Sequence, residues 1–237
     1  MFKNIKTHLF KKILSAQEEN RKNILRMLPS EFNEETKILD LGCDDGSWTL
    51  SLSKNSPKVL LFGVEVVEER KKIAVNKGIN VKSFDLNKSF YFEDNTFDIV
   101  HSNQVIEHLH DTDNFVSEVY RVLKPGEIFI VSTVNLSSWH NIFSLLLGYQ
   151  PFDLSNISTK GNIGNPFSLW NNAESENSKH KSWQHMRIFT VYSLIDLLKK
   201  HGFTVLNVLT SGYYPLPNFF SKLDKKHSHY FVIKAQK

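Results

Sequence analysis

Between residues 38 and 86, short apolar runs end repeatedly in an acid or a glycine, a placement that suits gripping a polar ligand from chain turns. The first such end reads Ile38-Leu39-Asp40-Leu41-Gly42-Cys43-Asp44-Asp45-Gly46. Gly42 and Gly46 let the backbone turn tightly and approach a ligand, although a simple tight turn would use them equally well. Glu65 ends the run Leu60–Val64, 25 residues after Asp40. That is near the separation of about 20 residues at which an acid accepts both hydroxyls of a ribose, and its charge would repel a 2′-phosphate. Val66 follows it. At the third end, Asp85 can accept from an adenine amino group while Leu86 covers the ring.

These three ends describe an adenosine pocket without a phosphate anchor. A dinucleotide site presents glycine-rich backbone to a pyrophosphate, where this turn has Asp44 and Asp45. Acids there tolerate a cationic sulfonium and ammonium, which favours S-adenosylmethionine over a nicotinamide dinucleotide.

Strand ends must position these residues. Lys37–Leu41, Val59–Val64, Asn80–Phe84 and Phe97–Ser102 read as strands, and Glu127–Thr133, Phe203–Thr210 and Tyr230–Ala235 follow. Helices are predicted over Thr49–Asn55, Glu68–Lys77, Asp113–Leu123 and Val191–His201. Leu9–Leu28 forms a further helix, with Ile13, Ala16, Ile24 and Leu28 on its apolar side and Pro29 at its end. Strands alternating with helices of this length predict a twisted, mostly parallel sheet covered on both faces. The chain divides into an N-terminal helical segment (1–35), a cofactor-binding part (36–135), an insertion (136–185) and a C-terminal part (186–237). A structureless loop as long as the insertion is rare in a compact domain, so a partly helical cap over the substrate is expected.

Several stretches carry a specific family likeness. Ile38-Leu39-Asp40-Leu41-Gly42-Cys43, Phe97-Asp98-Ile99-Val100, Val105-Ile106-Glu107-His108-Leu109 and Arg121-Val122-Leu123-Lys124-Pro125-Gly126 stand in the order and spacing of a known group. On these residues the chain resembles class I S-adenosylmethionine-dependent methyltransferases, in the group that includes the ubiquinone and menaquinone biosynthesis enzymes. The likeness is close over residues 36–134. It implies an α/β, Rossmann-like, seven-stranded, mostly parallel sheet with helices on both faces and an antiparallel final strand. By carry-over, Asp40 and Gly42 line the methionine side, Glu65 holds the ribose and Asp85 with Leu86 flanks the adenine, with Cys43, Asp44, Gly46, Val66 and Asn103 as further cofactor-binding candidates. Asp44 departs from the family's Gly-x-Gly-x-Gly series, though aspartate tolerates unusual backbone angles better than most residues.

Methyl transfer from a sulfonium asks the protein to align an acceptor and, for oxygen or nitrogen, to take a proton near neutral pH. His108 is the first candidate base, with Glu107 orienting it or shaping the pocket, and a structural role is the alternative for both. Glu107, His108, His110 and Asp111 could instead hold a metal, but lack a discriminating ligand pattern, so none is expected. Cys43 is read as packing or pocket lining, not as a nucleophile.

The acceptor side draws on Gln104, Trp139, His140, Tyr149, His185 and Arg187, with Phe152, Trp170 and Trp183 as further aromatic surfaces. The segments Asn135–Asn141, Leu147–Phe152 and His185–Thr190 are similar to methyltransferases of surface-polysaccharide and other glycan biosynthesis. That likeness implies a sugar or glycolipid hydroxyl, with aromatics on sugar faces and Arg187 on an anionic part. A quinone or phenol methylated at oxygen or carbon is the alternative acceptor. A non-catalytic binding protein is a third reading, and an NAD-dependent oxidoreductase a fourth.

Composition narrows the partners. A net charge of +4, from 29 basic and 25 acidic residues, is too small to argue for nucleic acid. No apolar run reaches the roughly 18–20 residues that a membrane span needs, and no secretory signal is evident. The lone Cys43 excludes an intrachain disulfide and suits a reducing cytosol. Residues 1–30 carry seven Lys/Arg against Glu18 and Glu19, so this end could face an anionic ligand or a membrane surface, or be a solvated helix face.

Overall fold

In the computed structural model, residues 2–168 and 183–237 are described, with side chains from residue 10 onward. Seven strands form one sheet: β1 (Thr36–Leu41), β2 (Val59–Val64), β3 (Asn80–Lys82), β4 (Phe97–Asn103), β5 (Leu123–Val134), β6 (Thr204–Ser211) and β7 (Tyr230–Gln236). Their order is β3-β2-β1-β4-β5-β7-β6. Strands β1 to β5 pair in parallel, and β7 lies between β5 and β6, antiparallel to both. The expected antiparallel final strand is therefore present, and strand order reverses between β1 and β4, where such sheets bind ligands.

Period-two alternation sorts the apolar side chains into two cores. Leu39, Val100, Phe129 and Phe231 face one, covered by α4 (Thr112–Val122) and α6 (Val191–Lys200). Ile38, Ile99, Ile130 and Val232 face the other, covered by α1 (Phe2–Met27) and α2 (Ser47–Leu52). On α4, Phe115, Val116, Val119 and Val122 are fully buried at helical spacing, and Asp111 caps its start by accepting from the Asn114 N–H. The helix α3 (Glu68–Asn76) links β2 to β3.

Three boundaries differ from expectation. Helix α1 begins well before Leu9, and its polar middle turns inward. Asn20 donates to Ser132 Oγ at 2.8 Å and Asn23 to the Thr210 carbonyl at 3.1 Å, so side-chain bonds replace the missing apolar surface. Strand β5 starts at Leu123, through Lys124-Pro125-Gly126, because the chain end pairs beside it: Gly126 N–H donates to Lys237 O and Lys237 N–H to Glu127 O. In the insertion, α5 (Trp139–Leu146) and a single helical turn at Phe152–Leu154 are followed by irregular chain over residues 155–168. Trp170 lies outside the described residues. The last helix, α7 (Phe220–Leu223), is one turn. Among the described residues, no helix is long and apolar enough to cross a membrane.

Candidate active site

The turn after β1 is held by main-chain bonds from Gly42 and Cys43 N–H to the Val64 carbonyl, at 2.9 and 3.0 Å. Gly42, Asp44 and Gly46 all have positive φ, at 78°, 51° and 76°. Asp44 thus adopts the left-handed angles that its family position needs. The missing Cβ of Gly42 makes room for protein: one built there would lie 2.6 Å from Val105 Cγ2. At Gly46 the neighbour is Ile79 Cδ1, at 2.5 Å. At both positions a Cβ would meet Val105 or Ile79, so the turn needs glycine for packing as well as for its backbone angles.

The acids of the turn are not bare. Asp44 is paired with Arg70, and Asp45 with Lys77 at 3.0 Å. The Ser47 N–H, then Lys77, hold the Asp45 carboxyl down to about 2. Repulsion of phosphate is therefore a weaker argument than the sequence suggested, because each charge has a local counter-ion. Cys43 packs against Gly63, and burial, then the neighbouring Asp40 and Glu65, push its thiol well above the ordinary range. It is a neutral packing group.

Asp40 is buried beneath this turn. One oxygen accepts from Thr49 Oγ1 at 2.5 Å, and the other is 2.7 Å from His101 Nδ1 on β4. Sequence reading missed His101, whose Nε2 is buried without a partner among the described residues. The same is true of Asn20 Oδ1, Trp48 Nε1, Ser102 Oγ, Gln104 Nε2 and Glu107 Oε1. Unmet buried polar atoms carry a free-energy cost and are rare in folded proteins. They lie on α1, α2, the end of β4 and the chain that leaves it through Gln104 and Glu107, beside the reversal point, which fits a polar ligand seated there. Asn103, on the same strand end, accepts from Asn20 at 3.3 Å.

Glu65 closes the turn, accepting from Asp44 N–H at 3.0 Å and Val67 N–H at 2.8 Å, while Val66 beside it is 51% exposed. Asp85 accepts from the Asn87 main chain and side chain, and the former chiefly holds its carboxyl below the usual range. Leu86 lies mostly within the core.

At the other side, Glu107 is fully buried. Its Oε2 accepts from Thr133 Oγ1 at 2.8 Å, and burial raises its pKa. His108 Nδ1 lies 3.1 Å from the Gln184 carbonyl, so Nδ1 carries the proton and Nε2 the lone pair. Burial lowers the His108 pKa, which favours the neutral imidazole. The His185 ring meets it edge-on, 4.8 Å away.

The remaining acceptor-side residues scatter. Trp139 donates to Tyr213 Oη at 2.8 Å and stacks on His227. Arg187 ties the end of the insertion to Thr112 Oγ1 and the His110 carbonyl. His140 and Tyr149 line an apolar cavity beside α5. His110 and Asp111 give their N–H groups to Asn87 and do not join Glu107. Among the described residues, two groups do bring potential ligand atoms within 4.8 Å: Glu107, His108 and His185, and His140, Asp153 and His229. In the second, His–Asp hydrogen bonds of 3.1 and 3.0 Å account for the closeness without an ion.

Comparison with known proteins gives the family and the fold. A family model described as a methyltransferase domain matches residues 13–208. The human mitochondrial ubiquinone biosynthesis O-methyltransferase is 24% identical over 231 residues, covering 91% of this chain and 56% of that protein. A ubiquinone/menaquinone biosynthesis C-methyltransferase of Desulfotalea psychrophila is 33% identical over 94 residues, 38% of each chain. The chain therefore spans between about a third and just over half the length of these two relatives. Among solved structures, an S-adenosylmethionine-dependent methyltransferase from Thermotoga maritima aligns with a TM-score of 0.61 at 18% identity, covering 98% of this chain and 95% of its own.

Proposed function

From a chain that belongs to the class I S-adenosylmethionine-dependent methyltransferases, we infer methyl transfer to the hydroxyl of a small molecule. The carrying observation is the set of unpartnered buried polar atoms gathered between the Asp40 turn and Glu107. Asn20, Trp48 and the Asp40–His101 pair would hold the amino-acid end of S-adenosylmethionine, Glu65 the ribose, and Val66, Asp85 and the edge of Leu86 the adenine. When bound, that cofactor supplies an activated methyl on a cationic sulfonium with a neutral leaving group.

His108 is suited to take the acceptor's proton. Gln184 fixes its tautomer, leaving Nε2 as the basic atom, and burial keeps it uncharged near neutrality. Among the described residues, Gln104 Nε2 and Glu107 Oε1, close by in the chain, have no protein partner. The name of the ubiquinone biosynthesis O-methyltransferase favours a phenolic or quinol hydroxyl, and that of the ubiquinone/menaquinone C-methyltransferase keeps a ring carbon as the alternative. The glycan reading draws less support, since Trp139 and Arg187 are engaged within the protein.

A transfer assay with methyl-labelled cofactor over quinols, phenols, glycolipids and sugars tests this. The expected result is labelled product and S-adenosylhomocysteine in equal amounts with a hydroxyl acceptor. Tight cofactor binding with no transfer to any hydroxyl compound would favour a binding protein instead.

A further inference from the structure

Helix α5 is inverted. Its buried positions are polar, Asn141 and Ser144, whereas Phe143, Leu145, Leu146 and Leu147 at its end are 54–75% exposed. Asn141 donates to Asp153 Oδ2 at 2.8 Å, and Ser144 accepts from Asn165 at 2.7 Å, which explains the inward polarity. Beside the apolar side lies a cavity of about 280 Å³, lined by Phe143, Leu147, Tyr149, Phe152 and Tyr214, with no charged side chain in its wall. It falls just under the roughly 300–1,000 Å³ of sites for whole drug-sized ligands. A ring or short chain would fit, with the rest of the molecule leaving over α5.

One polar side chain in that wall is built differently from the rest. His140 Nε2 lies 3.1 Å from Asp153 Oδ2, and on the far oxygen His229 Nε2 lies 3.0 Å from Oδ1. An ionised carboxylate only accepts, so both imidazoles must present Nε2–H to it. Burial opposes ionisation of Asp153, but the two histidines bonded to it outweigh that and hold its carboxyl well below the ordinary range. For His229 the remaining nitrogen, Nδ1, faces the Tyr214 hydroxyl at 3.4 Å. For His140, whose Nε2 also lies 3.3 Å from Ser138 Oγ, Nδ1 has no partner among the described residues, and the side chain, 17% exposed, is one of those that line the cavity. Asp153 thereby fixes a lone pair on the cavity wall, the way a buried acid fixes the tautomer of a catalytic histidine.

This cavity is coupled to the transfer site. His185 Nδ1 bonds the Asp153 carbonyl, and the His185 ring rests on His108. We propose that the cavity beside α5 is the acceptor subsite, taking an apolar ring or chain that carries a hydrogen-bond donor, which His140 Nδ1 recognises. The proposal rests on the methyl-transfer reading and adds the substrate's shape and polarity. His140 contacts the ligand directly, and Asp153 is a positioning residue.

The test compares 4-hexylphenol with its methyl ether, 4-hexylanisole, by calorimetry on the full chain without cofactor. Wild-type protein should bind the phenol at least about tenfold more tightly, the size expected when a buried acceptor is left unmet. His140→Phe, and Asp153→Asn, which can present an amide N–H and release the tautomer, should each cut that preference below about threefold while the ether still binds. Equal affinity for both probes, no binding of either, or an undiminished preference in both variants overturns the proposal. Should a variant fail to fold, nitrogen-15 imidazole spectra of wild-type protein decide. His140 should show a bare Nδ1 whose signal moves with the phenol and not with the ether, and a protonated Nδ1 refutes the idea. Failure of S-adenosylmethionine to bind would sink the methyl-transfer reading but leave this readout intact.

Discussion

Gly42→Ala separates a packing role from a ligand-facing one. The added Cβ would sit 2.6 Å from Val105 Cγ2, and the residue would have to hold φ near 78°. A left-handed backbone costs a residue with a Cβ roughly 1–2 kcal/mol. Overpacking against a half-buried valine adds about 1–3 kcal/mol, and the stiffer unfolded chain returns about 0.4–1. The net loss should be about 1–4 kcal/mol in urea unfolding, with Tm falling about 2–4 °C per kcal/mol for a chain of this size. Val105→Ala removes the clashing methyl, so the double variant should recover the steric part, a coupling of about 1–3 kcal/mol, while the φ cost stays. The double variant should bind S-adenosylmethionine within about threefold of Val105→Ala alone, because the new Cβ faces protein. Coupling below about 0.5 kcal/mol would refute the packing account. A well-folded double variant that lost more than about tenfold in affinity would place Gly42 against the ligand after all.

Other outcomes follow from the same geometry. Glu65→Ala should weaken S-adenosylmethionine about 10- to 150-fold by titration, the range for losing charge-assisted hydrogen bonds, with a smaller change in Tm. His108→Ala should slow methyl transfer about 10²- to 10⁴-fold at saturating acceptor and remove the acid limb of the rate profile. In the wild type that limb should lie below pH 6.5, since burial lowers the pKa and the rate rises as the imidazole loses its proton. Burial also lowers His140 and His185. The folded state then binds fewer protons than the unfolded chain, so stability is full above about pH 6.5 and falls as pH drops through the lowered values. Each group contributes at most about 1.4 kcal/mol per pH unit, readable by urea titration between pH 7 and 5.

The sheet was legible because strands buried on both faces read as largely apolar runs, as at Ile38–Leu39, Ile99–Val100 and Ile128–Val131. The family motifs supplied the number of strands and the antiparallel last one. Helix α1 was half legible, since its polar residues Asn20 and Asn23 point inward for bonds that no periodicity reveals. His101 was missed because a histidine within an apolar strand carries no sign of the acid 61 residues earlier that it will meet. Asp153 and His229 were missed for a similar reason: 76 residues separate them, and the insertion has no repeat that would bring them together. Trp139 and Arg187 looked available because sequence shows a side chain's chemistry and not the partner that already engages it.

The central claim is most directly tested by calorimetric titration of the protein with S-adenosylmethionine and, separately, NAD. The account predicts saturable, one-to-one S-adenosylmethionine binding at micromolar affinity, weakened by Glu65→Ala, and no measurable heat with NAD. Strong NAD binding without any response to S-adenosylmethionine would contradict it.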